Sequence, residues 1–136
     1  MPYYVVNADA TNIGENGGVY NRAGRGYPDV SANGAFLLAY NNLTLNNWFG
    51  TSLASPIFGS VVTLLNEERT QRGKGPIGFI NPTLYEHPYV LNDIVNGSNP
   101  NCGSSGFTTA PGWDPVTGLG TPNYDKMRQL FVDELQ

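Results

Sequence analysis

The sequence predicts an α/β protein, and three features carry that prediction. Ala35-Phe36-Leu37-Leu38-Ala39-Tyr40 is apolar without strict alternation, the pattern of a strand buried on both faces, as in a parallel sheet. Leu53, Ile57, Val61, Leu64 and Leu65 recur at helical spacing, with Phe58 and Val62 widening the face, so a helix follows from Ser52 to about Arg72. Met127, Leu130, Phe131 and Leu135 give a second amphipathic helix over Tyr124 to Leu135, expected on the outside of the domain. At 136 residues the chain fits one small domain, residues 1–136, with room for a core but short for a complete α/β enzyme. Charged residues are 13% against a more usual quarter, so the chain is poor in long solvated helices, and its 17 Gly and 10 Pro make it rich in turns.

Taken in order, Tyr3 to Val6 is one short apolar run, read as a strand that leads into a long loop. The N-terminus lacks the basic start and apolar run of a signal peptide, and no stretch approaches the ~18 apolar residues of a membrane span. Arg25 to Ala32 reads as a loop entering a short extended segment, with Pro28 biasing Tyr27 toward extended geometry. Asn41, Asn42, Asn46 and Asn47 surround a turn or hairpin ahead of Trp48-Phe49-Gly50-Thr51-Ser52-Leu53-Ala54-Ser55-Pro56. There Gly50 permits a sharp turn, Thr51 can cap the helix, and Ser52 projects from its first turn.

The first three turns of that helix carry no charge. They are expected to be buried, with the helix emerging into solvent at Glu67, Glu68, Arg69 and Arg72 and stopping at Gly73. Glu67 and Glu68 lie ~22 Å from Ser52 along the helix, so they read as a solvated face rather than a catalytic pair. After Gly73 the chain looks irregular until the final helix, where Asn123 is a candidate cap and Asp125 sits in the first turn.

A net charge of −4, a pI near 4.7 and the lack of a Lys/Arg cluster argue against a nucleic-acid partner. Two acceptor triplets for N-glycosylation, Asn42-Leu43-Thr44 and Asn96-Gly97-Ser98, matter only in a secretory compartment. The single Cys102 cannot form a disulfide within the chain.

Ser52 reads as a peptidase nucleophile. A helix N-terminus presents unpaired N–H groups and partial positive charge, which would stabilise an anionic tetrahedral intermediate on a serine adduct. The same residues also fit an ordinary capped helix. Pro56, four residues on and inside the helix pattern, removes a backbone hydrogen bond, a local departure of the kind expected at functional sites. A serine needs a base. The one histidine, His87, lies in a Pro-bracketed loop and reads equally as a surface or hydrogen-bonded residue, and a carboxylate is the other candidate. Asp93-Ile94 and the stretch from Ala110 to Asn123 could together offer calcium its oxygen shell, or form two unrelated turns in which each Asp bonds its own backbone.

Four blocks carry a resemblance: Gly24 to Ala32, Gly50 to Pro56, Gly78 to Tyr85, and Gly112 to Asn123. In that order and spacing they resemble the C-terminal part of the sedolisin family, the serine-carboxyl peptidases that include tripeptidyl peptidases. The match runs from about Gly24 to the C-terminus. It implies a subtilisin-like three-layer α/β fold with a central parallel sheet, of which this chain would be the C-terminal portion. It also implies Ser52 as nucleophile and one calcium ion held by the side chains of Asp93 and Asp114 and the carbonyls of Ile94, Ala110 and Gly112. Position 110 is usually glycine in the family, and alanine offers the same carbonyl.

The implied activity is acid-active cleavage of peptide or protein substrates through an acyl-enzyme on Ser52, in an extracellular or lysosomal setting. The family's activating glutamate, its supporting aspartate and its oxyanion aspartate have no match in this chain, and Asp29 belongs to a block that is a structural neighbour. The chain alone is therefore expected to be inactive, with the missing N-terminal part of the same domain as its partner. Two other readings stand beside this one. One is a subtilisin relative with a Ser-His-Asp triad, and the other a non-catalytic, calcium-stabilised fragment that binds a partner through an exposed sheet edge.

Overall fold

The computed structural model describes residues 25–101 and 105–135. The strand expected at Tyr3 to Val6 and Cys102 lie outside the described residues.

Packing is built on the far end of one long helix. This helix, α1 (Thr51–Gln71), follows the predicted apolar stripe and ends where expected. Gly73 takes φ 72°, Gly73 N donates to Thr70 O at 2.9 Å and Lys74 N to Arg69 O at 2.9 Å, a Schellman cap that satisfies carbonyls the helix leaves open. The burial along α1 runs opposite to expectation. Thr51, Ser52, Ser55 and Pro56 are exposed, whereas Leu65 is fully buried and Arg69 is 5% exposed. Arg69 is therefore no solvated residue. Its guanidinium donates to Gly75 O at 2.6 Å, to Leu135 O at 3.3 Å and to Phe131 O, gathering carbonyls from two chain turns. Lys74 Nζ adds bonds to Val132 O and Leu135 O at 2.7 and 2.8 Å. Cations suit this place because the last carbonyls of a helix lack intrahelical donors and carry partial negative charge.

The terminal helix explains the reversal. Asn123 caps α3 (Tyr124–Arg128) by accepting from Lys126 N at 3.3 Å, and the helix continues as a π-helical run, Gln129–Glu134. Leu135 N bonding Leu130 O at 2.9 Å shows the wider i→i+5 turn, which changes the residues that share a face. Met127, Leu130, Phe131 and Val132 are all buried, so this segment makes the core instead of docking outside it. It packs on the C-terminal half of α1 together with Leu84, Val90, Leu91, Trp113 and Leu119.

The stretch after Gly73 is more ordered than its sequence pattern indicates. Pro82 sits in the first turn of a short helix, α2 (Asn81–Glu86), where its missing N–H costs nothing, and a 3-10 turn follows at Pro88–Val90.

The strands form two antiparallel pairs. β1 (Leu37–Asn41) and β2 (Thr44–Trp48) make a hairpin, in register from Leu37↔Trp48 to Asn41↔Thr44. β3 (Leu91–Asn92) pairs with β4 (Thr121–Pro122). The expected doubly buried strand is thus corrected: Leu38 and Tyr40 are 65% and 75% exposed. Asn42 and Leu43 at φ 48° and 63° form a two-residue turn that folds the chain straight back, and the Leu38 and Tyr40 side is left uncovered among the described residues. Helices and small antiparallel sheets together are compatible with the α/β class.

Candidate active site

Ser52 is the second residue of α1, and everything local keeps it open. Gly50, at the N-cap, has φ 149° and ψ 149°, and no side chain caps this end. Thr51 is therefore the first helical residue and not the cap expected of it. A side-chain oxygen at Gly50 would have engaged the first helical N–H groups, which glycine leaves available to an anion. Pro56 acts on the same residue from the other side. In a regular α-helix the N–H at position 56 would bond the carbonyl of Ser52, and proline has none. Ser52 Oγ is exposed and has no hydrogen-bond partner among the described residues. The turn itself is held from outside, since Gly50 N donates to Gly34 O at 2.7 Å.

An open cleft of about 970 Å³ runs between the extended segment around Val30 to Gly34 and the N-terminal half of α1. Thr51, Ala54 and Phe58 line it from the helix, Ile94 and Thr117 from the opposite side. Ser31 Oγ is buried with no hydrogen-bond partner among the described residues. Ser52 is not among the lining residues, so the cleft lies beside the turn at residues 50–52 rather than beneath the hydroxyl.

Asp29 fastens three of the four motif blocks to one another. Its carboxylate accepts from Arg25 at 2.5 Å, Tyr85 Oη at 2.5 Å and Asn81 Nδ2 at 3.0 Å, and its carbonyl accepts from Leu119 N at 2.9 Å. The Arg25 hydrogen bond is the main cause holding the carboxyl below the usual aspartate range, against burial, which pushes it up. Trp113 Nε1 adds a bond to Pro28 O at 2.7 Å. Asp29 thus joins three segments and does not face Ser52 in any of these bonds, in keeping with its reading as a structural neighbour.

Two hydrogen bonds link residues expected at a metal, one between Asp93 and Gly112 and one between Asp114 and Ala110. Asp93 and Ile94 follow β3, and Asp93 Oδ2 accepts from Gly112 N at 2.7 Å across the loop. Asp114, fully buried, accepts from Ala110 N at 3.1 Å, Val116 N at 2.9 Å and Thr117 N at 2.8 Å. Asp114 therefore organises its own turn, as an isolated turn aspartate would, but Asp93 does not bond its own backbone. Close approach of the two segments depends on Gly120, whose φ is 102° and whose added Cβ would lie 2.0 Å from Asn92 O. Two carboxylates with carbonyls nearby are the donor set of a hard cation, which takes six to eight oxygens. Among the described residues no group of three or more His, Cys, Asp or Glu could hold a metal, so a cation here would rely on carbonyls for most of its shell.

No family model matches the chain. Curated relatives do. Aorsin from Aspergillus oryzae is 58% identical over 132 residues, covering 97% of this chain and 20% of its own length. Tripeptidyl-peptidase sed1 from Aspergillus fumigatus is 51% identical over 131 residues, 96% of this chain and 20% of its own. Tripeptidyl-peptidase 1 from Mus musculus is 42% identical over 121 residues, 84% of this chain and 22% of its own. The chain belongs to the sedolisin family. It spans about a fifth of the length of these relatives and corresponds to their C-terminal part.

Within this sedolisin chain hydrogen bonds join Asp93 to Gly112 and Asp114 to Ala110, Ile94 lines the cleft, and Ser52 stands at the head of α1. His87 joins neither group in the described hydrogen bonds. Its ring stands edge-on to Tyr89, 5.7 Å between centroids. Two contributors escaped the sequence reading. The Gly34 carbonyl that holds the Gly50 turn carries no side-chain signal at all, and Ser31 looked like one more loop serine. No helix among the described residues is long and apolar enough to cross a membrane.

Proposed function

We propose that this chain is the nucleophile-bearing and calcium-binding part of a serine-carboxyl peptidase, an endopeptidase or tripeptidyl peptidase acting on peptide or protein substrates. The observation that carries the reading is the exposed Ser52 at an uncapped helix N-terminus, with Pro56 removing the helical partner of its carbonyl. In this reading Ser52 Oγ attacks the scissile carbonyl, the C–N bond breaks as the amine leaves with a proton, and water then hydrolyses the ester. Among the described residues no base reaches Ser52. The base is a glutamate, and the oxyanion donor an aspartate, from the rest of a subtilisin-like three-layer domain with a central parallel sheet, which packs along the open cleft beside α1. A protonated aspartate in the donor role gives an acidic optimum, and the setting is extracellular or lysosomal.

Calcium, when bound, would supply fixed positive charge that ties the end of β3 to the Ala110–Asp114 turn, held by the Asp93 and Asp114 side chains and the carbonyls of Ile94, Ala110 and Gly112. Linkage makes this testable in the chain alone. At a hundredfold excess over its dissociation constant the ion adds about 2.7 kcal/mol to stability, so the melting temperature rises by several degrees. The rise should vanish with chelator and in Asp93→Ala. An unchanged melting curve sinks the metal assignment.

The nucleophile is tested on the complete domain. Acid quenching during turnover of an activated peptide ester, followed by mass mapping, should place the acyl group on Ser52. Ser52→Ala should lose at least about 10³-fold in kcat. An acyl group elsewhere, or turnover undiminished in that variant, overturns the assignment.

A further inference from the structure

From Val30 to Asn66 the chain contains no Asp, Glu, Lys, Arg or His. The hairpin in the middle of that stretch is apolar on its surface. Register places Leu38, Tyr40 and Leu45 on one face, and they are 65%, 75% and 51% exposed. Unpaired strand edges that carry neither charge nor cover associate readily, and exposed proteins usually blunt them with charge. Here charge is missing, and the tip of the hairpin carries the triplet Asn42-Leu43-Thr44. All three residues are exposed, Leu43 at 94%. Asn42 is exposed, its side chain has no hydrogen-bond partner among the described residues, and its φ of 48° places it in the tight turn between the strands. The other triplet is placed differently. Gly97 O accepts from Thr109 N at 3.0 Å and Ser98 pairs with Thr108, so that stretch is built into a ladder.

We infer that Asn42 is an N-glycosylation site, and that its oligosaccharide solvates a hairpin lacking charge of its own. In the modification the Asn42 amide nitrogen attacks the anomeric carbon of a lipid-diphosphate-linked oligosaccharide. The C–N bond forms, the lipid diphosphate leaves, and the nitrogen loses one proton. The inference rests on the secretory setting proposed above and not on the chemistry at Ser52.

The full 136-residue chain, placed behind a cleavable secretion leader in yeast, supplies the test without depending on the natural route of export. Glycans are released enzymatically in heavy-oxygen water, which converts each modified Asn to labelled Asp, and the peptides are mapped by mass. Asn42 should carry the label, and Asn42→Gln and Thr44→Ala should each abolish it. Unlabelled Asn42 in secreted chain overturns the site. A label on Asn96 alone overturns it as well, while showing that the chain met the glycosylation machinery. Light scattering reads the second half of the inference: removing the glycan, by enzyme or by Asn42→Gln, should raise the aggregated fraction, and no change overturns the solvating role.

Discussion

The two ends of α1 are made of the same helix and live in different surroundings. At its C-terminal half Leu65 is fully buried, Arg69 spends its guanidinium on three carbonyls, and the terminal helix covers the face. At its N-terminal half Thr51, Ser52, Ser55 and Pro56 are exposed, and an open cleft runs alongside. The stability of the described fold therefore resides at the end remote from the candidate nucleophile. The polar Thr51, Ser52 and Ser55 of that half face outward, while Leu53, Ile57 and Phe58 are half-buried. The difference teaches that one helix can anchor the core at one end and present an exposed serine at the other.

The largest expected effect is at the packed end. Phe131, 2% exposed, sits in the core cluster, and Phe131→Ala should cost about 4 kcal/mol, measured by urea unfolding. Hydrogen exchange then sharpens the comparison. Amides of the β1–β2 hairpin open locally at little cost in the parent chain, so their exchange should hardly change in the variant. If hairpin exchange accelerates in step with global unfolding, the two ends form one cooperative unit and the contrast is wrong.

A smaller effect is expected where the motif blocks meet. Asp29→Asn removes the charge from bonds to Arg25, Tyr85 and Asn81 and should cost about 1.5 kcal/mol. The pH dependence has a definite sign. The folded carboxyl is more acidic than the ordinary aspartate value of 3.8, so its contribution is complete above that value and is lost as pH falls below it toward the folded pKa. Unfolding curves should show parent and Asp29→Asn converging below about pH 3.8 and separated by a constant amount from pH 5 to 7. A gap that stays constant down to pH 2 would mean that the carboxylate's charge is not what joins the blocks.

What the sequence showed and what it hid divide along the same line. The bounds of α1, its stop at Gly73 and the Asn123 cap were all legible, because each is fixed by local residue chemistry. Arg69 was misread as solvated because nothing in its own helix reveals carbonyls 62 and 66 residues away in the chain. The turn or hairpin expected among Asn41, Asn42, Asn46 and Asn47 is present, but its first strand was misread as doubly buried, because an apolar run without alternation has the same pattern whether its partner is a parallel strand or its own return. The asparagines signalled a turn there, but Leu43 hid its two-residue form, since leucine is a poor residue for positive φ. The terminal helix was placed outside because the pattern locates a stripe without saying which layer meets it.

The smallest stability effect is predicted for the residue of greatest chemical interest. Ser52 is exposed, makes no described side-chain hydrogen bond, and follows an N-cap that is glycine, so Ser52→Ala removes no packing and no cap. Alanine is also the better helix former, by a few tenths of a kcal/mol. The variant should match the parent within about 0.5 kcal/mol by urea unfolding, or exceed it slightly. That near-silence is what separates the two roles open to a serine at this place. A serine kept as a capping residue should cost about 1 kcal/mol when lost, and such a loss would show that the hydroxyl serves the helix. A neutral result, combined with the expected collapse of turnover in the complete domain, assigns the hydroxyl to the reaction and leaves the fold to the other end of α1.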